Sequence, residues 1–507
     1  MKLIDNYNRF DRISILTYAK YLIGRSFNDV LQQATLYEDG CCNPNEMFSL
    51  QNKFRKGGLG NLIEKYYFGY ALNNNSEADF SQAGMELKVT PFQINAKNQL
   101  VAGERLVLSK IDFTSRIDAN ELKASHVWKK CAVMLLIYYF RDLQLKRENR
   151  RLDYLIYFVS LVDFNLPDFI RDVKIMEQDY RKIIAKIHAG KADEISEADT
   201  MYLGACTKGA TSEKSMQLQF YPASDGNHYM ARGRAFCLKT SYMTYLLNHY
   251  IVPNSNSNSN KESECLVDYS TTNFEEEIRN RINSYLGWEA SKIASSLGLP
   301  FNENKATWTS LVYRMLGIKG NHAEEFQKAN IVIKVVSLEA NGKLKESLSF
   351  KPFTFSRLMQ ETWEKSWVYY YFSETRFFFV VFQKQKNGTR ILKGCFFWNM
   401  PLSTINTDLK ADWDEIRNVI HNGVEFTWVQ SQKPYMKNNF PSKSDTNLMH
   451  VRPHTKLSYY DLGDGQIYGS GKISDSDVLP DGRRMTKQSF WLNNSYIQKI
   501  IHENLNI

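Results

Sequence analysis

The stretch ADFSQAGMELKVTPF, from Ala78 to Phe92, decides how this chain folds. Its second part has the pattern of a strand. Side chains alternate between faces of an extended backbone, so Met85, Leu87 and Val89 point one way and Glu86, Lys88 and Thr90 the other. The apolar side must be core. The opposite side sets a carboxylate next to an ammonium. Asp79 lies just upstream, across a turn at Gly84, and can bring a second carboxylate beside Glu86. Further upstream, KGGLGNLIEKYYFG (Lys56 to Gly69) reads as a turn and then a helix. Its buried side would be Leu59, Leu62, Ile63 and Tyr66, which leaves Glu64 free to face the strand.

These residue types suit one chemistry. Mg²⁺ takes hard oxygen ligands, commonly one or two carboxylates with waters and phosphate oxygens. A metal held this way neutralises phosphate charge and acidifies a bound water, and a lysine beside it can orient that water or offset developing charge. On spacing alone, an exposed strand edge with an incidental ion pair is the better reading. Glu121-Leu122-Lys123 repeats the Glu-x-Lys tripeptide on what reads as a solvated face.

Outward from this stretch, the 507 residues predict two or three domains. Hydrophobic residues at 43% and charged residues at 23% are those of a folded soluble protein. The net charge of +9 favours a polyanionic partner such as nucleic acid, though many proteins carry a modest surplus without one. No run approaches the ~20 apolar residues of a membrane span, and the first residues lack the apolar core of a signal peptide. The most apolar run, Cys131 to Phe140, has only the length of a core strand. The seven scattered cysteines contain no CxxC, which argues for a reduced cytoplasmic protein without a zinc site; the adjacent Cys41 and Cys42 read as surface thiols.

PNSNSNSNKESE, from Pro253 to Glu264, is a Ser/Asn-rich tract with nothing to bury. The halves on either side look alike. DYRKIIAKIHAG (Asp179 to Gly190) matches DWDEIRNVIHNG (Asp412 to Gly423), both amphipathic helices closed by glycine. AFCLKTSYMTYLLNHY (Ala235 to Tyr250) matches SFWLNNSYIQKIIHEN (Ser489 to Asn504), with Phe236 on Phe490 and Leu238 on Leu492. Strand-like runs such as RLVLSKIDF, VMLLIYYF, IVIKVVSL and RFFFVVFQ alternate with helices. The expectation is α/β: residues 1–252 as one domain, 253–268 as linker, and 269–507 as a duplicate. Each domain would carry a central mixed β-sheet flanked by helices.

The run from Lys56 to Phe92 resembles the MutH family of GATC-directed nucleases, within the PD-(D/E)xK superfamily, in the order of its turn, helix, Asp-Phe pair and Glu-Leu-Lys strand. The likeness continues at SHVWKK (Ser125 to Lys130), TMYLGACTKGA (Thr200 to Ala210) and the FCLK helix. It implies Glu64, Asp79 and Glu86 as Mg²⁺ ligands, Lys88 as their catalytic partner, and Lys130 as an aid at the scissile phosphate. Two such halves with a linker are similar to type II restriction endonucleases of the Sau-three-AI type, a likeness that extends to HVRPHT (His450 to Thr455) and MTKQSFWLNN (Met485 to Asn494). That resemblance implies Mg²⁺-dependent cleavage of both strands of unmodified 5′-GATC-3′ on the 5′ side of G, with 5′-phosphate ends. It also implies self-association on DNA, a cognate methyltransferase as genetic partner and a bacterial cytoplasm.

Aligning the halves predicts the fate of the second site. Tyr313 replaces Glu64, Glu325 stands for Asp79, Val332 for Glu86 and Lys334 for Lys88. Two of three ligands are gone, so this half should bind DNA without cutting it. Arg452 lies where the family has a site-reading arginine; arginine can fork onto guanine O6 and N7. In the first half the matching segment ACTKG offers Thr207 and Lys208. Arg232, Arg234, Lys239 and Lys487 fit phosphate contact as well as base reading. Two rivals stand beside this expectation: a repair nickase like MutH, and a DNA-binding protein without catalysis.

Overall fold

The computed structural model describes residues 7–37, 58–71, 77–95, 97–117, 120–208, 215–252, 264–268, 273–302, 304–320 and 322–506. Lys56, Cys41, Cys42 and residues 253–263 of the Ser/Asn tract lie outside them. The chain is mixed α/β and divides into two compact units. The first comprises residues 1–274 with 322–330, the second residues 275–321 with 331–507.

In the first unit, helices α1 (Arg12–Lys20), α2 (Phe27–Tyr37) and α3 (Gly58–Leu62) precede strands β1 (Glu86–Ile94), β2 (Leu100–Ala102) and β3 (Leu106–Ile111). Helix α4 (His126–Cys131), strands β4 (Val133–Phe140) and β5 (Ile156–Asp163), and the long helix α5 (Ile170–His188) follow. Strands β6 (Leu203–Thr207), β7 (Met216–Leu218), β8 (Met230–Arg232) and β9 (Arg234–Leu238) lead into helix α6 (Thr240–Leu246). One sheet runs β2-β1-β4-β5, with β1 parallel to β4 and antiparallel to β2, and β5 antiparallel to β4. A second runs β3-β9-β6, all antiparallel. The alternation in MELKVTPF acts as expected: Met85 and Leu87 are buried with Leu135 and Ile137 against Ile15, Tyr18, Leu62 and Phe68, and Val89 packs on that cluster. The apolar run after Cys131 becomes β4, buried from Val133 to Tyr139.

The second unit repeats this order. Helices α7 (Phe274–Asn283, all but its first residue) and α8 (Lys305–Met315) precede strand β10 (Ile331–Leu338). Strand β11 (Leu348–Pro352), helix α10 (Trp367–Glu374), strands β12 (Arg376–Lys384) and β13 (Arg390–Trp398), helix α11 (Lys410–Asn422), strands β14 (Met449–Pro453) and β15 (Gln488–Leu492), and helix α12 (Asn494–Leu505) follow. Strand β10 is parallel to β12 and β13 antiparallel to it; the other sheet runs β11-β15-β14. One shared detail is diagnostic. Asp179 on α5 is buried and accepts the backbone N–H groups of Met201, Tyr202 and Leu203 at 2.7, 2.6 and 3.0 Å. Asp412 on α11 is buried and accepts those of Asn447, Leu448 and Met449 at 3.0, 2.7 and 2.8 Å. Each aspartate heads the helical segment matched by sequence and ties it to the strand that follows.

The boundary between units differs from a cut at residues 253–268. Helix α9 (Glu324–Ala329), which stands where the first half has its Asp79 turn, belongs to the first unit. Burial and charge explain why. Glu325 accepts the N–H groups of Leu266 and Val267 at 2.9 and 3.2 Å. Lys328, only 2% exposed, donates to Asp172 at 2.7 Å, and Tyr242 donates to the same carboxylate at 2.7 Å. Burying an ammonium is costly unless it is paired, and Asp172 and Glu324 pair it.

Candidate active site

Four side chains singled out by sequence meet at the start of β1. The turn Ser81–Ala83 ends at Gly84, which adopts a left-handed conformation with φ +59°. Phe80 and Met85 bond to each other across the turn, at 2.9 and 3.2 Å. This folds Asp79 back onto the strand: its carboxylate accepts the Leu87 N–H at 3.0 Å, and its own N–H reaches Glu86 Oε2 at 3.3 Å. Glu86 is 3% exposed. Lys88 donates to Glu86 Oε1 at 2.8 Å and Lys130 to Oε2 at 3.1 Å. Lys130 is set by α4, whose N-cap Ser125 accepts the Trp128 N–H, and it donates as well to the Glu77 carbonyl.

Glu64 lies on the π-helical turn Ile63–Tyr67 that continues α3. Such turns are frequent at functional sites. The buried side of this segment is Leu62, Ile63 and Tyr67, with Leu59 and Tyr66 only partly covered, so the expected face is rotated slightly by the wider turn. Burial pushes the Glu64 carboxyl up to about 7, helped by the negative charges of Asp79 and Glu86 and opposed by Lys130 and Lys88. Asp79 is raised too, by burial first and then by Glu86, against the pull of Lys88 and the Leu87 N–H. Crowded carboxylates that resist ionising are a site that gains from a cation.

The residues fit a divalent ion of the Mg²⁺ kind in their donor chemistry. Asp79 and Glu86 supply two adjacent hard oxygen ligands, the number such an ion commonly takes from protein. The two ammonium groups on Glu86 already mark where positive charge is wanted. Among the described residues no three His, Cys, Asp or Glu side chains gather closely enough to enclose an ion, so the fit is to an open two-carboxylate site with Glu64 beside it. Cys131, at the end of α4, is buried, and burial pushes its thiol up to about 12.

The expected DNA contacts separate into surface and core. Thr207 ends β6 and Lys208 follows it; Lys208 is exposed, and its N–H donates at 2.8 Å to the carbonyl of Gly233, the residue after Arg232 at the end of β8. Arg232 is partly exposed. Arg234 and Lys239 are corrections. They are 4% and 3% exposed, and they donate to the carbonyls of Ala205 and Thr200. Reaching a phosphate would mean abandoning those buried carbonyls, so both serve the fold. They bracket RAFCL, buried throughout as β9, a run whose continuous apolar middle signals an internal strand.

In the second unit Arg452 is exposed on β14, its guanidinium 5.5 Å from the Trp491 ring centre, and Lys487 lies partly exposed just before β15. The sheet register corrects one pairing. Leu203 faces Leu238 and Met449 faces Leu492, so Arg452 corresponds to Cys206, which is buried, and Lys208 corresponds to His454. His454 and Lys208 both donate N–H at 2.8 Å, to Lys487 and Gly233 respectively. The arginine is therefore peculiar to the second unit.

The residues of the second half that align with the candidate catalytic set by sequence also separate. Val332 and Val336 pack in the core cluster of the second unit with Phe377, Phe379 and Val381. Lys334 sits between them, with its ammonium 5.5 Å from the Phe350 ring centre and its pKa lowered to about 8, by burial first and Lys305 second. Glu325 is turned to the backbone of residues 266 and 267 in the first unit.

Among described residues no helix is long and apolar enough to cross a membrane. A family model for the DNA mismatch repair enzyme MutH matches residues 68–166, a span that contains Asp79, Glu86, Lys88 and Lys130. The type II restriction enzyme Sau3AI of Staphylococcus aureus is 31% identical over 474 residues, which cover 89% of this chain and 93% of that protein.

Proposed function

Because this chain belongs to the family of MutH-like type II restriction endonucleases, and so is a site-specific deoxyribonuclease, we propose that it cuts both strands of unmodified 5′-GATC-3′ on the 5′ side of G, leaving 5′-phosphate ends, with Mg²⁺ as cofactor. One observation carries the assignment of the catalytic centre: Asp79, Lys88 and Lys130 all engage Glu86 or its strand by direct hydrogen bonds within the span that matches the family model.

Asp79 and Glu86, with Glu64 beside them, are the residues to hold the cation. When bound, it supplies charge neutralisation at the phosphate and lowers the pKa of a water. Lys88, which donates to Glu86, would orient the attacking water and offset developing charge. Lys130, released from Glu86 toward substrate, offsets charge on the scissile phosphate. The tandem units are read as a duplication: the first cuts, the second binds. Arg452, with Lys487 close by, is the candidate reader of the second unit, and Thr207, Lys208 and Arg232 that of the first. With one cutting centre per chain, two chains assembling on DNA complete a double-strand break, and a second GATC held by the second unit favours that assembly.

Digestion of a defined plasmid, with and without adenine or cytosine methylation in GATC and with end mapping, tests this reading. Linear product with termini 5′ of G in GATC is expected, and nicked circles alone would favour a repair-type nickase. Cutting elsewhere would overturn the proposed specificity.

A further inference from the structure

We propose that Arg12 is a positioning residue for the catalytic turn, setting how tightly Asp79 and Glu86 hold a divalent cation; this rests on the metal-nuclease reading above. Arg12 opens α1, a helix fixed at its start by Asp11, whose carboxylate accepts the Ile13 and Ser14 N–H groups at 3.1 and 3.0 Å. From this base its Nε donates to the Ala83 carbonyl at 2.8 Å, while Nη1 reaches Asp163 at 3.3 Å. Ala83 is the last residue of the turn between the two carboxylates, and Asp163 ends β5, opposite Val133. One guanidinium thus ties the turn to both the first helix and the sheet. At Gly84 an added Cβ would stand 3.5 Å from Arg12 Nη2, so the side chain lies directly on the turn.

The second unit supplies the control. Gly24 and Gly287 hold equivalent places: Gly24 N–H donates to Ile156 and Ile156 N–H to Arg25, as Gly287 does to Leu392 and Leu392 to Trp288. Arg12 and Glu275 each stand twelve residues before that glycine. Glu275 pairs with Arg376 at 2.8 Å, and Arg376 donates to Asn399 at 3.1 Å. A charged bond between helix and sheet survives there with its sign reversed, and a glutamate cannot donate to a turn carbonyl. The turn segment itself, residues 322–330, belongs to the first unit. Where the metal carboxylates are lost, the arginine that braces their turn is lost with them. A role in stability alone would be met by either sign of pair. Nor does Arg12 act through charge on the site: the cations that offset Glu64 and Asp79 are Lys88 and Lys130, while Arg12 is committed to Ala83 and Asp163.

The test is Mn²⁺ binding to the full-length chain, read from loss of the free-ion electron paramagnetic resonance signal, for wild type, Arg12→Ala, Arg12→Met, Asp163→Asn and Glu86→Ala. Groups that orient metal ligands typically change affinity by 10–100-fold, so Arg12→Ala is expected to bind Mn²⁺ about tenfold more weakly. Its cleavage should need correspondingly more metal and recover at saturating Mn²⁺. Asp163→Asn, which keeps the bond to Ala83, is expected to lose about threefold or less. Wild-type Mn²⁺ affinity in folded Arg12→Ala overturns the proposal. Should that variant fail to melt cooperatively, wild-type affinity in Arg12→Met, which keeps the aliphatic stem but cannot donate to Ala83, overturns it equally. Glu86→Ala separates the two failures: unchanged binding there sinks the metal site itself, whereas binding lost in Glu86→Ala but kept in Arg12→Ala sinks only the role of Arg12.

Discussion

Strands β1 and β10 occupy the same place in their units, each parallel to a buried neighbour, yet one presents a carboxylate and an ammonium while the other presents valines packed into the core. On β1 the outward face is Glu86, Lys88 and Thr90, set against Met134, Leu136 and Tyr138 of β4. On β10 it is Val332, Lys334 and Val336, set against Phe377, Phe379 and Val381 of β12. A carboxylate needs cationic or N–H partners to be buried, and Glu86 has Lys88, Lys130 and the Asp79 N–H. Valines and phenylalanines need none, and each fully buried large apolar side chain contributes roughly 1.5–3 kcal/mol. The same strand address can thus be stabilised by polar satisfaction or by hydrophobic burial. The lysine is the exception: Lys334 stands at the address of Lys88, with Val332 at that of Glu86.

The largest expected effect exploits that lysine. Lys88→Met should reduce the single-turnover cleavage rate by about a hundred- to a thousandfold, with DNA binding retained. Lys334→Met should leave the chemical step untouched. Comparable losses in both would break the comparison.

Where the units agree, they should respond alike. Asp179→Ala orphans three buried N–H groups and Asp412→Ala two buried ones with a third at the surface, and each should destabilise its unit by about 2–4 kcal/mol in denaturant titration. A neutral result in one would mean the two helices are held differently.

Lys334 gives a smaller effect of opposite sign. Its pKa of about 8 in the folded chain lies below the ordinary 10.5. The unfolded chain therefore holds more protons between those values, and the second unit gains stability as pH rises through that window. Lys334→Met should remove this slope and stabilise the unit at pH 7 by on the order of 1–3 kcal/mol. A lower melting temperature in the variant would contradict the burial argument.

The mildest expected effect concerns DNA contacts. Arg452→Ala should weaken binding of a GATC duplex by about tenfold, in line with loss of one good base contact, whereas Cys206→Ser at the matching address of the first unit should not change it. Fluorescence anisotropy at fixed salt on the full-length chain reads both.

Much of this was legible in the sequence, for physical reasons that also mark where legibility ends. The alternation in MELKVTPF and the short span from Asp79 to Lys88 put three site residues on one strand and its preceding turn, and such local patterns survive in one dimension. Lys130 was visible only through family resemblance, because its bond to Glu86 spans 44 positions. Arg12 left no pattern at all: its partner is a backbone carbonyl 71 positions away. Arg234 and Lys239 looked like DNA contacts because a basic residue at a strand end gives no sign of whether a carbonyl waits inside. The division of units differs from a cut at residues 253–268 for a related reason. The Ser/Asn tract is a composition signal, whereas the place of α9 is decided by the pairing of Lys328 with Asp172, which only the fold brings together.

The central claim is that Glu86 anchors the one catalytic centre of a duplicated nuclease. The most direct measurement is cleavage of a supercoiled plasmid with a single GATC site by full-length Glu86→Ala beside wild type, in Mg²⁺, with duplex binding measured on the same preparations. The account predicts wild-type affinity for the duplex and plasmid left supercoiled by the variant. Linear product formed by Glu86→Ala at the wild-type rate would contradict it.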